Sequence, residues 1–337
     1  MKRQMKIVKA GFLMVLGALL LIQGASIALA AQGGNGGKVG VGNKVPEVLS
    51  FSIYENDHVT ATSSFTPMTS YWIDIVAKDK NKETDLDQVK ITLFHDSNNL
   101  AAGTAAVAGD EKTAVIITWN KGASWGSLTP TVDDGTGSWA VVGQSYTVDS
   151  GVQATWKINF TVGKVSSETT GTEDWDLEII ATDETAAPST PFTGFGNSMN
   201  WYGEISSEVT TEFDFGTLVV GDVDKPITLV NGGAKSFFDA YPITNGNYKV
   251  EVKTSATWGT LNFGTDITAL KVDDDAVIDG DTLSVSTAYQ VVPGHTSDAA
   301  TAEGGATIPL YAWISLASEG LETGNHSGTL FISILAD

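Results

Sequence analysis

Apolar and polar residues alternate with a period of two along most of the chain after residue 45. Leu49, Phe51 and Ile53 are separated by polar positions, and Ile73, Ile75 and Ala77 alternate with Trp72, Asp74 and Val76. Residues 89–94 repeat the pattern, as do 113–119, 154–162 and 175–181. Clusters of Gly, Asn and Asp at 79–81, 96–99 and 133–135 punctuate these runs, so the spacing predicts short strands joined by turns. Further strands are predicted at 209–215, 226–230, 248–254, 282–286, 308–315 and 329–335. No helical stretch of ten residues follows residue 30. The nearest, 101–108, contains Gly103 and ends at Gly109. Strands without crossover helices predict antiparallel sandwiches.

One stretch echoes another. Residues 71–79 (YWIDIVAKD) and 175–183 (WDLEIIATD) are both aromatic-led strands ending Ala-x-Asp. The intervening residues do not align, so the echo is read as two edges or halves of one sandwich rather than as tandem repeats. Pro188, Pro191, Gly194, Gly196 and Gly203 mark 186–207 as a linker. It separates a first domain at 45–185 from a second at 208–337.

The start of the chain has a different pattern. Lys2, Arg3, Lys6 and Lys9 precede an apolar run from Phe12 to Ile22, and Ala28-Leu29-Ala30 supplies the small residues of a cleavage site. Residues 1–30 therefore read as a signal peptide, and the protein as secreted, extracellular or held at the cell surface. Two alternatives stay open. One is a retained membrane anchor. The other is a pilin-type leader cut after Gly11, which lacks the usual Glu because Leu16 stands there. Residues 31–44, rich in glycine, form a flexible tether. No sorting motif or apolar span is expected at the C-terminus, where residues 331–337 read as a last strand.

The net charge of −21 falls to −25 once the four basic residues of 1–30 leave, since no acid leaves with them. Such a chain is repelled by phosphate and is no nucleic-acid binder. The absence of cysteine excludes disulfides, thiol catalysis and cysteine-ligated metal, leaving core burial or ions to stabilise an exported fold.

No catalytic motif stands in the sequence with the context its chemistry needs. Gly122-Ala123-Ser124-Trp125-Gly126 fits a nucleophile elbow in letters, but no helix pattern follows, and the elbow needs one. The histidines at 58, 95, 295 and 326 lie far apart and make no zinc motif. No enzyme is expected. Acidic loops offer oxygen ligands instead: Asp79, Asp85 and Asp87 in one, and Asp273, Asp275, Asp279 and Asp281 in another. Hard carboxylate oxygens suit calcium, though neither loop fits the EF-hand spacing. Nine tryptophans raise a sugar-binding alternative, with Trp125 and Trp139 near turns as the platforms. Asn159 and Asn325 stand in glycosylation sequons.

Two patterns in the second half, 213–221 (FDFGTLVVG) and 324–330 (GNHSGTL), resemble β-sandwich domains of bacterial and archaeal surface proteins. The 85–89 turn (DLDQV) of the first half resembles Ig-like modules of the same class. The resemblance implies an all-β fold of two antiparallel Ig-like β-sandwich domains in a surface-layer or filament-type protein. The expected partners are copies of itself or other envelope components. The alternative is a secreted carbohydrate-binding or adhesion protein with glycans as partners.

Overall fold

The computed structural model describes residues 40–96, 110, 112–135, 138–205, 213–230, 238–301, 305 and 307–337. The signal peptide, residues 31–39 of the tether, the 101–108 stretch and residues 209–212 of a predicted strand lie outside them. Residues 40–44 are exposed and carry no regular structure. Residues 45–337 form one compact unit that holds two hydrophobic cores.

Ten strands surround the first core. They are β1 (Glu47–Glu55), β2 (Ser64–Phe65), β3 (Ser70–Lys78), β4 (Leu86–His95) and β5 (Ala114–Asn120), followed by β6 (Thr131–Asp133), β7 (Ala140–Ser150), β8 (Gln153–Thr161), β9 (Trp175–Asp183) and β10 (Phe192–Met199). One sheet has the order β1-β3-β8-β7, the other β2-β10-β9-β4-β5-β6. Every pairing is antiparallel except the short β2–β10 contact. The period-two pattern explains the packing: Tyr71, Ile73, Ile75 and Ala77 of β3 face inward, as do Trp175, Leu177, Ile179 and Ala181 of β9. Trp119, Trp156 and Trp175 are fully buried, each removing about 150–250 Å² from water.

The echoing strands are halves of one sandwich, not its edges and not tandem repeats: β3 and β9 each lie inside a different sheet around one core. The 186–207 linker contains β10, which pairs with β9 and places Met199 in the first core. Its glycines permit close packing rather than looseness, because a Cβ on Gly194 would lie 2.2 Å from the Phe51 ring.

The second core is built from shorter elements. They are β11 (Gly203–Ile205), β12 (Phe213–Asp214), β13 (Lys225–Pro226), β14 (Leu229–Val230), β15 (Phe238–Ala240), β16 (Pro242–Thr244) and β17 (Tyr248–Thr254). Then follow β18 (Thr257–Trp258), β19 (Leu261–Asn262), β20 (Ile267–Asp273), β21 (Leu283–Ser284), β22 (Gln290–Val291), β23 (Ile308–Leu316) and β24 (Leu330–Ala336). One sheet runs β13-β23-β20-β21, with β15 also on β23, and a second runs β22-β17-β24. Val250 and Val252 of β17 pack with Leu270 and Val272 of β20 and Leu310 and Ala312 of β23. The molecule is thus all-β, with antiparallel sheets in sandwich-like packing.

Asn245 joins the two halves. Its side chain is 3% exposed and donates through Nδ2 to the carbonyls of Ser166 (2.9 Å) and Asn200 (2.8 Å). Its Oδ1 accepts the Tyr202 N–H at 2.6 Å. Beside it, Lys164 pairs with Glu204 at 2.5 Å, and the Tyr202 hydroxyl donates to the same carboxylate at 2.6 Å. Burial, then that carboxylate, pushes the Tyr202 hydroxyl up to about 12.

Candidate metal centre

The acidic loop between β20 and β21 starts from a buried residue. β20 ends at Asp273, held in the sheet by its pairing with Tyr311 of β23, so its carboxylate is fixed before the loop begins. Asp273 is 4% exposed. Its Oδ1 accepts the N–H groups of Asp274 (2.8 Å) and Asp275 (3.4 Å), and its Oδ2 is buried without a donor. The chain then turns through Asp279, whose N–H donates to the Thr282 hydroxyl at 2.8 Å and whose Oδ1 accepts the Asp281 N–H at 3.2 Å. This fold-back brings one carboxylate oxygen each from Asp273, Asp279 and Asp281 within 4.8 Å of one another.

Three negative oxygens at that spacing repel. The Asp279 contact pushes Asp281 upward while Asp279 itself is held low. Asp274 is raised by burial and then by its contact with Asp273, against the opposing pull of His295. A divalent cation bonded to these hard oxygens would remove this repulsion. Bound through one oxygen each, three carboxylates would supply half or less of the six to eight oxygens calcium takes, and water would have to supply the rest.

The remaining predicted ligands separate from this group. Asp275 is exposed and its Oδ1 caps the Val277 N–H at 2.7 Å. Asp79, at the end of β3, is fully buried. Asp85 stands in a 3-10 turn over Glu83–Asp85, close enough for its charge to raise the Asp79 carboxyl. Asp87 is exposed on β4.

The tryptophan platforms do not fit. Trp139 is 3% exposed, stacked on Phe160 at 6.0 Å and tilted against Trp175 at 5.8 Å. No face is left for a sugar ring. Trp125 is half-buried, stacked on Tyr146 and edge-on to Trp119 and Trp156. Its turn presses it onto the first core instead of displaying it. Asn159 is 9% exposed on β8, with its Nδ2 donated to Asn56, and is closed to a glycosyl transferase in the folded chain. Asn325 is exposed.

The Ser124 segment is a series of turns, with the Ser127 hydroxyl donating to the Ser124 carbonyl at 2.7 Å. His58 pairs with Asp74, and His295 with Asp298, each at 2.7 Å. Among the described residues no serine or threonine hydroxyl is hydrogen-bonded to either of those two imidazoles. His95 is buried against Trp175, and His326 lies near the Thr260 hydroxyl.

Among the described residues, no helix is long and apolar enough to cross a membrane. No family model and no curated protein matches the chain. Among solved structures, a 35 kDa C-terminal fragment of the major pilin GBS80 of Streptococcus agalactiae is 9% identical, with 86% of this chain and 91% of that one covered, at a TM-score of 0.21. Dimeric latent PorU from Porphyromonas gingivalis is 7% identical over 87% of this chain and 34% of that one, at a TM-score of 0.12. Likenesses this low carry no argument, and what the chain does has to be read from its own sheets and side chains.

Proposed function

We propose that the chain is an exported, non-enzymatic structural protein of the cell surface that assembles with copies of itself. The observation that supports this reading best is the open edge of the first sandwich. β7 is an eleven-residue edge strand with no Lys, Arg or Pro along its length, and Val142 and Val148 on it are exposed. Long edges that lack such residues are templates for pairing with another chain. Bulges at 141–143 and 148–150 confine the regular stretch to its middle. The basic, apolar and small-residue pattern of residues 1–30 supports export. Calcium at Asp273, Asp279 and Asp281 stiffens the loop of the second core in this reading.

Sedimentation velocity over a range of concentrations, with negative-stain imaging, tests it. The mature protein forms polymers, and Val142→Lys with Val148→Lys abolishes them while leaving the circular dichroism spectrum unchanged. A wild-type protein that stays monomeric at every concentration, with and without calcium, removes the assembly reading. The sugar-binding alternative has lost its Trp139 platform and most of its Trp125 surface to the core.

A further inference from the structure

The two echoing strands end in carboxylates at the same end of one sandwich. β3 and β9 lie in opposite sheets of the first sandwich and pack into one core. The residue closing each Ala-x-Asp pattern, Asp79 or Asp183, reaches the same end of it: Asp183 pairs with Leu86, the residue that follows the Glu83–Asp85 turn. The Glu83–Asp85 turn is drawn to that end by main-chain bonds. Asp79 and Glu83 donate their N–H groups to the carbonyls of Val152 (2.9 Å) and Gly151 (3.2 Å) in the β7–β8 hairpin turn. The Asp85 carbonyl accepts the N–H of Glu184, the residue after Asp183, at 2.8 Å.

The burial of these acids is severe. Asp79 is 0% exposed, Asp183 2% and Glu83 7%. Asp79 Oδ1 accepts the Asn81 N–H at 2.7 Å, but Asp79 Oδ2 and Glu83 Oε2 are both shut from water without a donor. Among the described residues no Lys, Arg or His forms an ion pair with Asp79 or Glu83. The nearby Lys121 ammonium goes instead to the Thr84 carbonyl and to Glu184. Buried carboxylate oxygens without donors are among the costliest groups a fold can hold.

We propose that a divalent cation, calcium by its preference for oxygen ligands, binds between Asp79, Glu83 and Asp183 and ties the two sheets of the first sandwich together at that end. The donor set is oxygen only, which favours a hard cation over zinc or copper. Asp79 Oδ2 and Glu83 Oε2 are the ligands that otherwise have no partner, and Asp183 comes from the opposite sheet. Asp85 contributes charge, and Asp87 has no part. Among the described residues only the Asp273 set already holds three ligand oxygens within 4.8 Å. The ion therefore draws the Asp79 set closer, and its binding orders the 79–85 turn.

The site is independent of the Asp273 set, and counting ions separates them. Calcium is titrated calorimetrically into the whole mature chain and into D279N/D281N, whose two changes lie at exposed positions. Terbium luminescence, sensitised by Tyr146 whose hydroxyl feels the Glu83 charge, gives a second readout. The expected counts are two ions for the wild type, one for D279N/D281N and none once Asp79→Asn is added. Asp183→Asn in the same background weakens binding tenfold or more. A folded D279N/D281N chain that binds no ion overturns this site, and a wild-type count of one then leaves the Asp273 site standing. One ion in both proteins supports this site and removes the other. The count in D279N/D281N is decisive by itself, and it stands even where an Asp79→Asn chain fails to fold.

Discussion

Asn245→Ala removes the side chain that joins the two cores. Three bonds disappear: two from Nδ2, to Ser166 and Asn200, and one accepted by Oδ1 from Tyr202. Each contributes a net of about 0.5–1.5 kcal/mol. The consequences for the abandoned partners differ. Asn200 is exposed and Tyr202 half-buried, so water replaces what they lose. Ser166 is fully buried, and a carbonyl stranded there costs about 1–3 kcal/mol more. The total is about 2.5–7.5 kcal/mol, a large fraction of the stability of an ordinary domain. The main-chain bonds between Asn245 and both Glu168 and Tyr202 survive the substitution, so the halves stay attached but are less strongly coupled. Urea unfolding followed by tryptophan fluorescence and by far-UV circular dichroism measures both effects. The wild type unfolds with coincident transitions. Asn245→Ala shifts the midpoint down and separates the two probes. Coincident transitions with a loss below about 1 kcal/mol would refute the view that this residue couples the cores.

Other outcomes follow from single contacts. A Cβ on Gly328 would lie 2.2 Å from the Trp258 indole, so Gly328→Ala overpacks the second core by about 1–3 kcal/mol, seen as a lowered melting temperature. Gly280→Ala, with open space around it, changes stability by less than about 0.5 kcal/mol. Trp139→Ala costs about 3–5 kcal/mol and leaves retention on polysaccharide columns unchanged; a loss of retention without a loss of stability would restore the platform reading. Burial, then the Glu204 carboxylate, raises the Tyr202 phenol to about 12, which ultraviolet difference absorbance checks; a value in the ordinary tyrosine range would mean that the phenol is neither buried nor bonded to Glu204 in solution. Asp79 is raised by burial, so the folded chain holds its proton more tightly than the unfolded chain does. Its contribution to stability is complete below the ordinary carboxylate value and is lost as the pH rises through the raised one. In EDTA the melting temperature therefore falls across that window, and Asp79→Asn flattens the fall; an unchanged slope would count against the burial argument.

Legibility in the sequence follows burial on one face. β3 and β17 are bordered by turns and alternate strictly, and the pattern locates both. β1 alternates as well, but a bulge between Val48 and Ser50 changes its parity, so Val48 and Ile53 are its buried residues rather than a run from Leu49. β20 escapes the pattern for the same reason, because a bulge between Ile267 and Ala269 breaks the alternation. β7 escapes it because, as an edge strand, it is largely exposed and shows no apolar rhythm. β10 is hidden by Gly194, which the neighbouring Phe51 ring requires, and by Gly196, whose φ is positive. Of the acidic residues, the loop composition marks Asp273, Asp279 and Asp281, but nothing local marks Glu83 or Asp183 as partners of Asp79. The Ala-x-Asp echo holds that information, and it becomes readable only once the two strands are placed in facing sheets.

Hydrogen–deuterium exchange on β7 tests the central claim of assembly through an open sheet edge most directly. In the dilute mature protein, the β7 amides that face away from β8 exchange quickly, whereas those bonded to β8 are protected. In concentrated protein the outward amides of 143–148 become protected, and Val142→Lys with Val148→Lys keeps them fast. Outward amides that exchange at the same rate at every concentration would contradict the account.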